Sequence, residues 1–268
     1  PQPSAKHRER IEKECRETIL RMPGIEEVQI KAGLKVGVQA APERNALADV
    51  THLVAVARGK GGVGKSTVAV NLALALQAQG KRVGLLDTDI YGPSIPIMLG
   101  TMGQPQQSGN RILPIEAYGL KLMSIGFLAG AEAPVIWRGP MVHNIVSQFL
   151  TQIEWGELDY LIMDLPPGTG DAQLTLTQAV RLSGAVIVTT PQQVALVDVH
   201  RGVLMFEQVK VPILGVVENM SYFECSKCGH RDEIFAHGGG RSAAKKYGVP
   251  FLGEIPLLPA IREAGDAG

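Results

Sequence analysis

One stretch constrains this chain more than any other: Gly59-Lys60-Gly61-Gly62-Val63-Gly64-Lys65-Ser66-Thr67, four glycines and two lysines directly after an apolar run. Glycines at this density let a backbone turn tightly and aim several N–H groups at one point. A helix that begins near Gly64 adds the positive end of its dipole there, which suits phosphate. In this pattern Lys65 reaches the β- and γ-phosphates of a nucleotide, and Ser66 offers its hydroxyl to Mg²⁺. Gly59 to Thr67 are therefore the expected cofactor-binding residues, with ATP and Mg²⁺ as the implied ligands. The pattern needs a strand before it and a helix after it.

The surrounding sequence supplies both. From His52 onward, short apolar runs alternate with helical stretches. The runs are Leu53 to Ala57, Val83 to Leu86, Leu120 to Ile125, Tyr160 to Met163, Ala185 to Thr189, Ile213 to Val217 and Phe251 to Ile255. They are continuously apolar, as strands buried on both faces must be. Helical stretches fall near Lys65 to Gln79, Met141 to Ile153, Asp171 to Leu182 and Leu196 to Val209. The alternation predicts an α/β fold: a mostly parallel, doubly wound sheet with helices on both faces.

Upstream the pattern differs. Ile11, Cys15, Ile19 and Met22 recur at helical spacing, Pro23-Gly24 ends that helix, and Ile25 to Gly37 alternates like an exposed strand. One helix and one strand are too little to fold alone. Residues 1–44 are thus expected to be the α+β remnant of a small domain, 45–51 a linker and 52–268 the main domain. The chain starts at Pro1 without methionine and stops at Ala267-Gly268, so it reads as a fragment.

The 268 residues carry a formal net charge of +0, so no global field draws the chain to nucleic acid or anionic lipid. No apolar run reaches the roughly 18 to 20 residues that a membrane span requires, and the charged N-terminus is no signal peptide. Three cysteines do not make a secreted disulfide framework, so a cytoplasmic address is expected. No nucleic-acid or membrane partner is expected.

Asp87 and Asp89 close the second run and Asp164 closes the fourth, at strand ends where open α/β sheets bind ligands. Aspartate also caps helices at such junctions. Cys225-Ser226-Lys227-Cys228 follows a strand, and two thiolates at this spacing can grip one metal from a single turn. Zinc ribbons and redox pairs use the same spacing. A zinc site completed within the chain by His230 and His237 is one reading of it.

Taken together, GKGGVGKST, DTDIYGPS, WRGP, MDLPPGTGD, ENMSYFECSKCG and FAHGGG resemble the Mrp (ApbC-type) family of iron–sulfur cluster carrier P-loop ATPases, within the MinD/ParA-like deviant Walker A class. The resemblance runs from about Leu53 to the end. It implies slow, Mg-dependent ATP hydrolysis. Lys60 becomes a signature lysine that crosses a homodimer to the partner's nucleotide, and Lys65 and Asp89 join it in catalysis. Asp89 positions or deprotonates the attacking water, while Asp87 and Asp164 order the magnesium shell with Ser66. Pro166 to Asp171 senses the γ-phosphate, and Asn219 hydrogen-bonds adenine. Cys225 and Cys228 of two subunits bridge one iron–sulfur cluster, which passes from a cluster donor to apo iron–sulfur proteins. Ligand counting agrees, since a four-iron cluster wants about four thiolates and one pair supplies half. Residues 1–44 resemble the end of a small iron–sulfur-assembly domain. Two departures stand out: Arg58 occupies a position where the family usually has a small residue, and the family's C-terminal helix is missing. Arg138 has no derivable role, and Cys15 reads as a core residue of its helix. Two rival functions share parts of this pattern: a positioning or partitioning ATPase, and a nucleotide-binding zinc protein.

Overall fold

The computed structural model of the chain describes residues 47–59, 61–89, 92–101, 103–109, 111–127, 149, 151–168 and 171–268, together with 17 and 19–21. The expected elements built on Cys15, on residues 25–37 and on 141–148 lie outside the described residues, as do Lys60, Arg138 and Thr169-Gly170. The chain divides into two compact units, Pro1–Glu43 and Arg44–Gly268. In the first, Glu17, Ile19 and Leu20 are helical.

The second unit is built on a sheet. Its strands are β1 (Val50–Arg58), β2 (Val83–Asp87), β5 (Ile115–Ala117), β6 (Leu120–Ser124), β7 (Leu158–Asp164), β8 (Gly184–Thr189), β9 (Ile213–Glu224), β10 (Arg231–Asp232) and β11 (Phe251–Leu257). A separate hairpin pairs β3 (Gln107–Ser108) with β4 (Arg111–Ile112). The order across the sheet is β10-β9-β8-β1-β7-β2-β6-β5, and β11 also pairs with β9. From β8 through β6 the neighbours run parallel. Among the described residues, the β5–β6 and β9–β10 pairs of this sheet are antiparallel. The first turns on Tyr118-Gly119, whose φ values of 53° and 72° suit a two-residue hairpin.

The helices are α1 (Lys65–Ala78), α2 (Ile95–Met98), α3 (Asp171–Ala179), α4 (Gln193–Gln208), α5 (Gly239–Tyr247) and α6 (Pro259–Ala267). From β1 the chain winds one way to β2 and β6 and the other way to β8 and β9. Right-handed crossovers in opposite directions send the flanking helices to opposite faces. Every residue of β2 and β8 is buried, as continuous apolar runs predict. Leu85, Leu86, Leu161 and Ile162 are each completely covered, and burying such a side chain stabilises by about 1.5 to 3 kcal/mol. The expected mostly parallel α/β sheet flanked by helices is the observed one.

The expected strand Ile213 to Val217 proves too short. β9 runs on to Glu224, because Glu218 and Asn219 are buried with partners supplied by distant segments, and the buried Ser221 hydroxyl bonds back to Glu218. α5 had no expected counterpart either.

Candidate nucleotide site and cysteine hairpin

β1 ends at Arg58, and the glycine loop leads from it into α1. Gly64 caps α1 with φ 79°, a left-handed conformation that glycine adopts without strain. A Cβ at Gly64 would also collide with the Asn219 amide. At Gly59 a Cβ would run into the backbone of Asp198 on α4, so glycine there lets the loop lie against that helix.

Parallel register brings the acidic residues to the same edge. Asp164 of β7 pairs across to Val56 of β1 and to Asp87 of β2. Lys65, only 1% exposed, places Nζ 2.5 Å from Asp164 Oδ1. The Ser66 hydroxyl donates to Asp164 Oδ2 at 2.6 Å. Asp87 accepts from the Asp89 backbone N–H at 3.0 Å and from the Ser124 hydroxyl at 3.0 Å. Asp89 accepts from Gly92 N–H at 3.2 Å, and Arg58 Nη2 stands 4.0 Å from its other oxygen.

Burial and the nearby Asp164 charge push the Asp87 carboxyl up to about 7, against the opposing pull of its hydrogen bonds and Lys65. Asp164 is also raised, mainly by burial, with the Lys65 ammonium pulling the other way. Three carboxylates with the Ser66 and Ser124 hydroxyls make a largely buried pocket of hard oxygen donors beside the Lys65 ammonium. That donor set suits a small divalent cation.

Asn219, expected at adenine, donates its amide N–H to the Val63 carbonyl at 2.9 Å. It thereby braces the glycine loop from the β9 side. Beside it opens a cavity of about 620 Å³, lined in part by Thr67, Asn71, Met220, Ile255 and Leu257. Beyond Asp164, Pro166 accepts from the buried Gln173 amide at 3.1 Å, which ties the following loop to α3.

Cys225 and Cys228 lie in the turn between β9 and β10. Cys225 N–H donates to His230 O at 2.9 Å, and Gly229 N–H returns to Cys225 O at 2.8 Å. Cys225 is half-buried and Cys228 exposed. Backbone N–H groups of Lys227 and Cys228 draw the Cys225 thiol below its ordinary value.

His237 is not aimed at this pair. Its Nε2 lies 2.9 Å from Arg231 and 3.1 Å from Glu254, which holds Glu254 below the usual carboxylate range. Among the described residues the group within metal-ligand reach is Glu218, His237 and Glu254, and it contains neither cysteine. The zinc reading that joined both cysteines to His230 and His237 is corrected on this point. Its contacts with Glu254 and Arg231 occupy the histidine.

Sequence reasoning missed Glu218, which is fully buried. Its carboxylate accepts from the Ser221 hydroxyl at 2.7 Å, from Gly238 N–H at 3.0 Å and from Gly240 N–H. A glutamate inside the run Val216-Val217-Glu218, with Gly238-Gly239-Gly240 downstream, was the available signal.

Residues 49–268 match the ParA family model described as NUBPL iron-transfer P-loop NTPase. Over 273 residues the chain is 50% identical to the iron–sulfur cluster carrier protein of Synechocystis sp., covering 99% of this chain and 77% of that protein. Its backbone is similar to a nucleotide-binding protein solved with ADP from Archaeoglobus fulgidus (TM-score 0.75, 43% identity, 83% of this chain and 88% of that one). The cell division ATPase MinD of Pyrococcus furiosus shares the fold (TM-score 0.57, 22% identity, 80% of this chain and 87% of that one).

Proposed function

We propose that this chain, which belongs to the ParA family of NUBPL iron-transfer P-loop NTPases, slowly hydrolyses ATP with Mg²⁺ and carries iron–sulfur clusters to apo-proteins. One observation carries the reading. β9 runs unbroken from Asn219, which braces the phosphate loop, to Glu224, beside Cys225. A single element thus joins the nucleotide pocket to the thiolate pair.

Gly59 to Thr67 cradle the phosphates. Lys65 turns from Asp164 to the phosphate oxygens, and Ser66, Asp164 and Asp87 would hold Mg²⁺. The fit is chemical: all three supply oxygen, and the buried Asp164 Oδ1 makes no well-directed hydrogen bond of its own. When bound, Mg²⁺ would neutralise charge developing on the phosphate oxygens. Asp89 orients the attacking water and takes its proton. The water oxygen bonds to the γ-phosphorus as the bond to the β–γ bridging oxygen breaks, leaving ADP and phosphate. Lys60 reaches the nucleotide of a second copy, so the working unit is a homodimer. Adenine enters the cavity beside Asn219.

The cargo is a 4Fe–4S cluster, held by Cys225 and Cys228 of two copies. Its partners are a cluster donor and apo iron–sulfur proteins, and the compartment is the cytoplasm. Residues 1–44 belong to a small iron–sulfur-assembly-type domain and the ATPase domain follows, its first strand starting at Val50, inside the stretch expected as a 45–51 linker. Among the described residues no helix is long and apolar enough to cross a membrane. A positioning ATPase would share the phosphate pocket, and the cysteine hairpin favours the carrier.

Anaerobic reconstitution with iron and sulfide tests this. The expected product shows a broad visible absorbance that Cys225→Ser or Cys228→Ser abolishes, because an alcohol cannot replace a soft thiolate on iron. ATP binding should survive both changes. Zinc at one per chain in monomers, indifferent to iron and sulfide, would overturn the carrier reading.

A further inference from the structure

We infer that Arg58 supplies, from within the same chain, a positive charge to the γ-phosphoryl group during hydrolysis. The inference rests on the hydrolytic reading above and adds a residue that the reading does not use. Arg58 is the last residue of β1, directly before the glycine loop. Its side chain is only 17% exposed and brings Nη2 to 4.0 Å from Asp89 Oδ2. That separation is too long for a hydrogen bond. The Nε donor is buried and, among the described residues, has no hydrogen-bond partner. A buried donor without an acceptor is costly, and a bound ligand that brings oxygen atoms removes the cost.

The neighbourhood says which oxygens. Lys65 is already paired with Asp164, whereas Arg58 faces Asp89, the group that orients the water. A guanidinium between the start of the phosphate loop and that carboxylate adjoins the terminal phosphoryl group. Its planar fork matches phosphoryl oxygens, two at a time. As the bond from the γ-phosphorus to the bridging oxygen lengthens and water approaches, charge spreads over the equatorial oxygens. Arg58 leaves its loose contact with Asp89 and donates to them. The backbone is braced for this, because Gly59 lies against Asp198 of α4. A cation supplied in cis gives the chain a basal turnover that does not wait for a lysine from a second copy.

The test compares Arg58→Lys and Arg58→Met in the full chain with Mg²⁺, measuring affinity for ADP and for ADP with aluminium fluoride, which mimics the phosphoryl group in transit. ADP affinity should stay within about twofold of the parent, which also shows that the variants fold. Arg58→Met should lose about 10²- to 10³-fold in both aluminium fluoride complex affinity and turnover, the usual scale for one transition-state donor. Arg58→Lys should recover part of both. Equal losses for ADP and its aluminium fluoride complex would reduce Arg58 to a structural ion pair and overturn the inference, as would no loss in either. A parent chain that neither hydrolyses ATP nor captures the complex would fail on the hydrolytic reading itself, and the inference falls with it.

Discussion

Replacing Lys65 by alanine removes the ammonium that lies 2.5 Å from Asp164 Oδ1, in a pair where both side chains are fully buried. The Asp164 carboxylate then stands in a dry site beside Asp87 and Asp89, its ionised form opposed by burial and, among the described residues, met by the Ser66 hydroxyl alone. Breaking a buried pair from one side costs about 3 to 5 kcal/mol, because the remaining charge is uncompensated. For a domain of this size that corresponds to roughly 6 to 20 °C in Tm. Urea unfolding of the nucleotide-free protein at pH 7 measures it. The loss should shrink as pH falls, since protonating Asp164 removes the stranded charge. It should also shrink in an Asp164→Asn background, where no charge is left to strand. In the same variant, titration calorimetry should show ATP affinity lower by roughly ten- to hundredfold, as expected for one charge-assisted contact. A stability loss below about 1 kcal/mol, or one equally large with Asp164→Asn, would refute the reasoning.

Asp89→Asn should keep ATP bound while turnover falls by about 10²- to 10⁴-fold in a phosphate-release assay, the range of a positioned general base. Asp87 gives a pH signature in the apo protein. Its folded value of about 7 lies above the ordinary 3.8, so between those values the folded state holds a proton that the unfolded chain has released. Apo stability should therefore fall as pH rises through that window, by up to about 4 kcal/mol from this group. Asp87→Asn should remove that slope in denaturation curves taken from pH 4 to 8. Cys225, its thiol lowered by N–H groups of Lys227 and Cys228, should be alkylated by iodoacetamide with a pH midpoint below that of an unperturbed thiol, as read peptide by peptide.

The parallel sheet was legible because its strands are buried on both faces and so read as continuous apolar runs, as Val83 to Leu86 does. Asp87 and Asp164 were legible for a related reason, since they are the first polar residues after such runs and register aligns them. The far half of β9 was not. Its Glu218 and Asn219 are polar residues in a buried strand, tolerated because Gly238, Gly240 and the Val63 carbonyl meet them. Partners more than 15 residues away leave no periodic trace. α5 was hidden by its opening Gly239-Gly240, since glycine is a poor helix former, and by burying little besides Ala243 and Ala244. The fate of His237 was likewise settled by Glu254 on another strand, which spacing to the cysteines could not show.

The central claim is that one cluster is shared between two copies of the chain through Cys225 and Cys228. Native mass spectrometry of the anaerobically reconstituted protein, with iron and sulfide assayed on the same sample, tests it most directly. The account predicts a dimer carrying a single 4Fe–4S cluster, reduced to cluster-free chains by Cys225→Ser or Cys228→Ser and unchanged by Cys15→Ser. A cluster on each monomer, or one zinc per chain with no iron, would contradict it.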